Sequence, residues 1–271
     1  MTTATEALIK SIRDDGREPL SLSISEARKE IGRTHVLSPY DSNLKLVKGQ
    51  KVGWEAAGLS LAPYTLAGGP TLCPNSSPQC RKFCVSGSGN AIAFSMVNEA
   101  RVALTKKLLK SPVAFIRVLI EDLLIYQRAA LLRGKKFTTR LNVFSDIEWE
   151  RVAPEIFEVA ARAKIPLMDY TKVPGRVVPD IYSLTMSHSE INKWGLSPTE
   201  ITTDGINLAV PFAVKRTEDL PKIYRGVKVI DGDKTDLRHL DPKGVIVGLR
   251  SKTTKKGKAD LDGGFVLPII Q

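Results

Sequence analysis

The chain has 271 residues, 42% of them hydrophobic, enough for one sizeable core of the kind that α/β barrels build as a single domain. Its longest apolar region, residues 113–132, contains Arg117, Glu121, Asp122 and Arg128, which excludes a membrane span there. Its three cysteines all fall between positions 73 and 84, which argues against a disulfide framework, and its net charge of +11 suits an anionic partner such as nucleic acid or a nucleotide.

In chain order, residues 1–50 read as an N-terminal helical extension, and residues 51–271 as a single α/β barrel-like domain. The first ten residues include Glu6 and no apolar run of a secretory signal, so the expected location is the cytoplasm. Ser23-Ile24-Ser25-Glu26 is a capping-box pattern that opens a short helix. Residues 35–51 read as loop, and residues 58–63 as a strand ending at Pro63. The Gly-, Pro- and Ser-rich residues 68–80 exclude regular helix or strand, and residues 86–90 form a second turn-prone run. Two periodic helices follow, over residues 91–109 and 112–132. Ser111 is the N-cap of the second, Pro112 its first residue and Gly134 its stop. Phe115, Leu119, Leu123 and Tyr126 form its core stripe.

Beyond Gly134 the rhythm becomes β-like, with short strands expected at residues 138–143, 167–170, 182–186, 207–212, 227–230 and 245–249. Residues 265–270 fit an edge strand because of Pro268. Helical connections are expected at residues 152–164, 190–194 and 218–224. Strands that alternate with crossovers predict a mainly parallel sheet, here a closed or partly open (β/α) barrel. The basic run over residues 250–258 reads as a solvated loop.

The chemistry centres on Cys73, Cys80 and Cys84, spaced Cys-x6-Cys-x3-Cys. Thiolates are soft ligands that suit zinc or iron–sulfur clusters. Structural zinc normally takes four protein ligands, and His35, His188 or His239 are the histidines available as a fourth, so zinc stays open as an alternative, as do metal-free thiols. A cubane (4Fe-4S) cluster on three cysteines leaves one iron open to a substrate or cofactor. Arg140 and Asn142 alternate along a strand and share a face, with Ser145 and Asp146 following at its C-terminal end, where barrel enzymes place their chemistry. Ser145 or Asp146 also suits the role of a helix cap. Asp169 and Lys172 close the next strand, able to bind ribose hydroxyls and an anionic group or to pair with each other. Arg176 reads as a solvated loop charge. Ser187 and His188 end a further strand, with His188 a candidate acid–base or metal ligand and equally part of a capping cluster. Residues 231–236 have the acidic spacing of a calcium loop, but Pro242 stands at loop position twelve, so they read as a turn.

The stretch Thr71-Leu72-Cys73-Pro74-Asn75-Ser76-Ser77-Pro78-Gln79-Cys80-Arg81-Lys82-Phe83-Cys84 resembles the cysteine loop of a bacteriophage gene-product domain family. Arg140 to Glu150, Asp169-Tyr170-Thr171-Lys172 and Leu184 to Ser189 resemble the same family in the same order, so that the likeness spans most of the chain. That family in turn resembles radical S-adenosylmethionine enzymes, in which three loop cysteines after the first barrel strand hold a four-iron cluster. An aromatic residue often precedes the last cysteine there, a place held here by Phe83. Both cysteine gaps are longer here than in the usual Cys-x3-Cys-x2-Cys pattern, and no Gly-Gly-Glu run follows. The resemblance implies an iron–sulfur enzyme that uses S-adenosylmethionine and an electron donor. Asp146, Asp169, Lys172 and His188 are then the catalytic candidates, and Arg140, Asn142, Ser145 and Ser187 the cofactor-binding ones. The expected substrate is anionic or nucleotide-like, and the expected setting is the cytoplasm of a host cell. The alternative is a basic phage protein that binds nucleic acid or a host factor and whose cysteine loop is a structural zinc knot.

Overall fold

Each N-terminal helix starts from a side-chain cap. The computed structural model describes residues 2–39, 47–84, 95–191, 197–251 and 263–269. In α1 (Ala4–Asp15) the Thr3 hydroxyl accepts from the Glu6 N–H. In α2 (Ile24–Ile31) Ser23 and Glu26 make the expected reciprocal box. Both helices share the main core with the longer helices that follow, through Ala4, Leu8, Ala27 and Ile31.

The remaining elements alternate, as the sequence rhythm predicts. Strand β1 (Trp54–Gly58) precedes the single turn α3 (Pro78–Lys82), then α4 (Ser95–Lys110) and α5 (Pro112–Leu132). Strand β2 (Lys136–Arg140) leads to α6 (Trp149–Val152) and α7 (Pro154–Ala163), and β3 (Leu167–Thr171) to β4 (Tyr182–Ser187). Last come α8 (Pro198–Thr203), β5 (Asn207–Phe212), the hairpin β6 (Ile223–Tyr224) with β7 (Val227–Asp231), and β8 (Ile246–Arg250). Of the expected helix at residues 190–194, only Glu190 and Ile191 are described and they form a bend; its other residues, the turn-prone run at 86–90 and most of the basic run at 250–258 lie outside the described residues.

Several expectations are corrected. The first strand lies four residues before its expected start, because buried Glu55, paired with Arg133 at 2.6 Å, disguises an apolar run as a polar one. Residues 68–80 do admit helix at their end, since the Ser77 hydroxyl accepts from the Cys80 N–H and Pro78 needs no N–H partner. The connection at residues 152–164 breaks in two at Pro154. The expected helix at 218–224 is a short 3-10 turn followed by β6, and of the expected strand at 265–270 the described residues 265–269 make one bridge, from Leu267 to Phe212.

The sheet has the order β1-β2-β3-β4-β5-β8-β7-β6, parallel except for the β6–β7 hairpin. It is not closed. After β5 the chain makes the hairpin first and then returns, so that β8 occupies the edge of β5 and the hairpin ends the sheet.

Alternation along parallel strands gives the sheet two chemically different faces. One presents Ala57, Phe137, Leu167 and Tyr182 to α5 and α7 and forms the main core with Phe115, Ile116, Leu119 and Trp149. The other presents Thr138, Arg140, Tyr170, Thr185, Ser187 and Asn207, with a small apolar cluster of Trp54, Ala56, Met168 and Leu237. Because β1 to β5 run parallel, their C-terminal ends share one edge, and the segments that carry the three cysteines, Ser145, Asp146, Lys172 and His188 leave the sheet there.

Candidate functional site

The turn after β2 is the rigid floor of the site. Asn142 is buried: its side-chain oxygen accepts from the Ile147 N–H at 2.9 Å and the Ser145 hydroxyl at 2.8 Å, and its amide donates to the Ile147 carbonyl. Asp169, fully buried on β3, accepts from the N–H groups of Leu141 and Asn142 at 3.1 and 2.9 Å and from the Tyr182 hydroxyl at 2.8 Å. Burial pushes its carboxyl up to about 6, against the pull of Arg140 and of these hydrogen bonds. Asp146 is likewise buried and accepts from the Thr171 hydroxyl and the Lys172 N–H, both at 2.7 Å. Burial raises its pKa, opposed by the Lys172 N–H and then by Arg176. Neither Ser145 nor Asp146 caps the following helix, whose N-cap is Glu148. Asp146 and Asp169 thus tie the ends of β2 and β3 together.

Two arginines complete this frame, and one corrects an expectation. Arg176 is no solvated charge: its side chain is 1% exposed and pairs with Glu150 at 2.5 Å and Asp146 at 3.4 Å. Its partners lie 26 and 30 residues away in sequence, out of reach of any local pattern. Arg140 crosses the polar face to Asp236 at 2.6 Å, with Asp169 3.7 Å away. Burial works against its charge, but Asp236 and Asp169 more than offset this and raise its pKa. Asp236, in the turn after β7, was not singled out in the sequence, because its neighbours read only as an acidic turn.

The cysteine loop is laid across this edge. Tyr64, held at φ 38°, donates its N–H to the Cys73 sulfur at 3.4 Å, and the Cys73 thiol donates to the Phe144 carbonyl. Leu72 bonds both ways, its N–H to the Tyr64 carbonyl and its carbonyl to the Asp146 N–H. Asn75 donates to the Lys172 carbonyl at 2.9 Å, and Glu190 accepts from the Ser77 hydroxyl and the Gln79 N–H. Lys172 donates to the Ser187 hydroxyl at 2.6 Å, and its ammonium lies 5.7 Å from the Phe265 ring. Phe265 stacks in parallel on Phe83, 6.1 Å between centroids, with the His188 ring beside it. His188 Nε2 meets the carbonyl of Gly264, a residue whose φ of +68° favours glycine. Burial lowers the His188 pKa.

The three half-buried thiols are near enough to affect one another's ionisation. Burial pushes Cys73 up to about 12; the Tyr64 N–H opposes this, and the charges of Asp146, Cys80 and Cys84 add to it. Burial also raises Cys80, which Lys172 opposes and Cys84, Glu190 and Asp146 reinforce. The three sulfurs stand on one loop, with the Tyr64 N–H aimed at one of them and the cation of Lys172 acting on another. Among the described residues, however, no three His, Cys, Asp or Glu side chains surround a single-ion position. The other histidines do not complete a zinc set: His35 is held by Asp122 at 2.7 Å, and His239 packs on Trp54 and Met168.

Fold and site together define a mainly parallel α/β protein with a three-cysteine loop at the C-terminal edge of its sheet. The chain belongs to the Gene product 88 family, whose model matches residues 30–265. The match supports the phage gene-product resemblance carried by the cysteine loop and does not extend to radical S-adenosylmethionine enzymes. No curated protein and no solved structure matches the chain. Among the described residues no helix is long and apolar enough to cross a membrane.

Proposed function

We propose that this chain is an iron–sulfur protein of the radical S-adenosylmethionine type, acting on an anionic or nucleotide-like substrate. One observation carries the reading. The loop after β1, in a sheet whose first five strands are parallel and in sequential order, carries three cysteines along the same edge as the ends of β2, β3 and β4. When bound, a cluster on three thiolates has one open iron to chelate the amino and carboxylate groups of S-adenosylmethionine, and an external electron donor supplies the electron that breaks a carbon–sulfur bond of the sulfonium.

The protein's own residues divide the remaining work. Tyr64 donates its N–H to the Cys73 sulfur, and hydrogen bonds to ligand sulfurs tune cluster potential. Lys172 and Ser187 form a polar pair beside the loop, suited to an anionic group. Asp146, Asp169 and Asn142 act as framework, since their polar atoms are spent on backbone and neighbouring side chains. His188 faces the Gly264 carbonyl, and burial favours its neutral imidazole, the form that can accept a proton.

The test is anaerobic reconstitution with iron and sulfide, then reduction in the presence of S-adenosylmethionine. A brown protein that cleaves the cofactor only when reduced is expected. A colourless zinc protein whose affinity for nucleic acid falls steeply with salt overturns the proposal in favour of a basic binding module.

A further inference from the structure

The turn after β4 does more than end a strand. Glu190 lies three residues beyond Ser187, and both of its oxygens are engaged by the cysteine loop. Oε2 accepts the Ser77 hydroxyl at 2.5 Å, and Oε1 accepts the Gln79 N–H at 2.9 Å. Ser77, buried at 3% exposure, in turn accepts the Cys80 N–H at 3.0 Å. A relay therefore runs from the carboxylate through one hydroxyl to the backbone of a single cysteine. Asn75 adds a separate anchor on the end of β3 through the Lys172 carbonyl.

We propose that Glu190 is a positioning residue for Cys80, one that docks α3 on the turn after β4 and presets the ligand loop before any metal arrives. The geometry stands alone; its consequence for metal rests on the iron–sulfur reading above. A site whose ligands sit on a loop must order that loop on binding, and a loop already pinned on two strand ends has less order to gain.

The residue type supports a positional role. An acid is a poor electrostatic neighbour for thiolates, and the charge of Glu190 indeed opposes ionisation of Cys80. What a carboxylate offers is two acceptor oxygens and no donor, the complement that a hydroxyl and an N–H on one helical turn require. Glutamine, of the same shape, presents an NH2 group to one of those donors. Glu190 also places a negative charge near the proposed cluster, which disfavours adding an electron, so removing that charge raises the reduction potential.

Glu190→Ala and Glu190→Gln test this in the full chain. First, hydrogen–deuterium exchange is followed by mass spectrometry on the metal-free protein. Amides of residues 77–83 are expected to exchange about tenfold faster or more in the alanine variant, and by less in the glutamine variant, while β3 and β4 are unchanged. Exchange in that segment equal to wild type overturns the docking role. If the alanine variant exchanges faster everywhere, glutamine decides: its loop amides must still outpace wild type, or the role is overturned. Second, iron per chain and reduction potential are measured after anaerobic reconstitution. Lower iron in the alanine variant and a higher potential in the glutamine variant are expected; equality with wild type in both overturns the link to metal. Wild-type protein that takes up no iron refutes the proposed function and with it this link, while the exchange result still decides the docking.

Discussion

Replacing Asp169 with asparagine removes one charge from the centre of the frame while keeping its shape. The fully buried carboxylate gathers the Leu141 and Asn142 N–H groups and the Tyr182 hydroxyl, with Arg140 3.7 Å away. Asparagine keeps one acceptor and turns the other oxygen into a donor that faces donors. One buried N–H left unmet costs about 1–3 kcal/mol. Arg140 also loses a nearby countercharge, although Asp236 at 2.6 Å remains. Removing a charge that burial disfavours offsets part of this, so the net loss at pH 7 is about 1 kcal/mol, against a total stability of about 5–15 kcal/mol. Urea unfolding at pH 7 should show this as a lower midpoint at constant slope. The pH dependence supplies a second check. Asp169 sits at about 6 when folded, above its ordinary value of about 3.9. Its contribution is therefore complete below about pH 4 and is lost as pH rises through the folded value. From pH 7 to pH 5 the wild type gains stability from this group and the asparagine variant does not, so the gap between them widens. A gap below about 0.5 kcal/mol at pH 7, or one that narrows on acidification, refutes the reasoning.

Three further outcomes follow from the same geometry. Arg176→Ala leaves Glu150 and Asp146 buried without their partner and should cost about 3–5 kcal/mol in thermal or urea unfolding, far more than an exposed loop arginine would. Lys172→Met removes the cation that favours the Cys80 thiolate, so the pH at which Cys80 becomes alkylated should rise, as read by mass spectrometry of the labelled peptide. With Cys73 at about 12, its proton is still bound at pH 7 and must leave when metal binds; loading should release protons into a weak buffer and should tighten as pH rises from 6 to 8.

The fold was legible wherever one element follows a local rule. Helix α5 keeps the expected bounds of Pro112–Leu132 because Pro112 opens it, an apolar periodicity fills it and Gly134 follows it. Strands β3, β4 and β5 fall within a residue of their expected ends because each is a short apolar or β-branched run between turns. Closure of the sheet was not legible, since it depends on the order in which β6, β7 and β8 return, and β6 looked like part of a helix. The site was legible in its residue types but not in its pairings. Cys73, Cys80 and Cys84 stand out by spacing alone. The partners of Arg140 and Arg176 do not, because Asp236 lies 96 residues from Arg140 and Glu150 lies 26 from Arg176. Glu190 read as the start of a connecting helix, and only its hydrogen bonds to Ser77 and Gln79 show that it serves the cysteine loop.

The central claim is that the three cysteines share one inorganic centre. Counting iron and acid-labile sulfide per chain, in protein expressed and purified without oxygen, tests it most directly when wild type is set beside a chain with Cys73, Cys80 and Cys84 all changed to alanine. The account predicts about four irons with matching sulfide in the first and none in the second. Iron that persists without the cysteines, or a wild-type chain that holds neither iron nor sulfide, contradicts it.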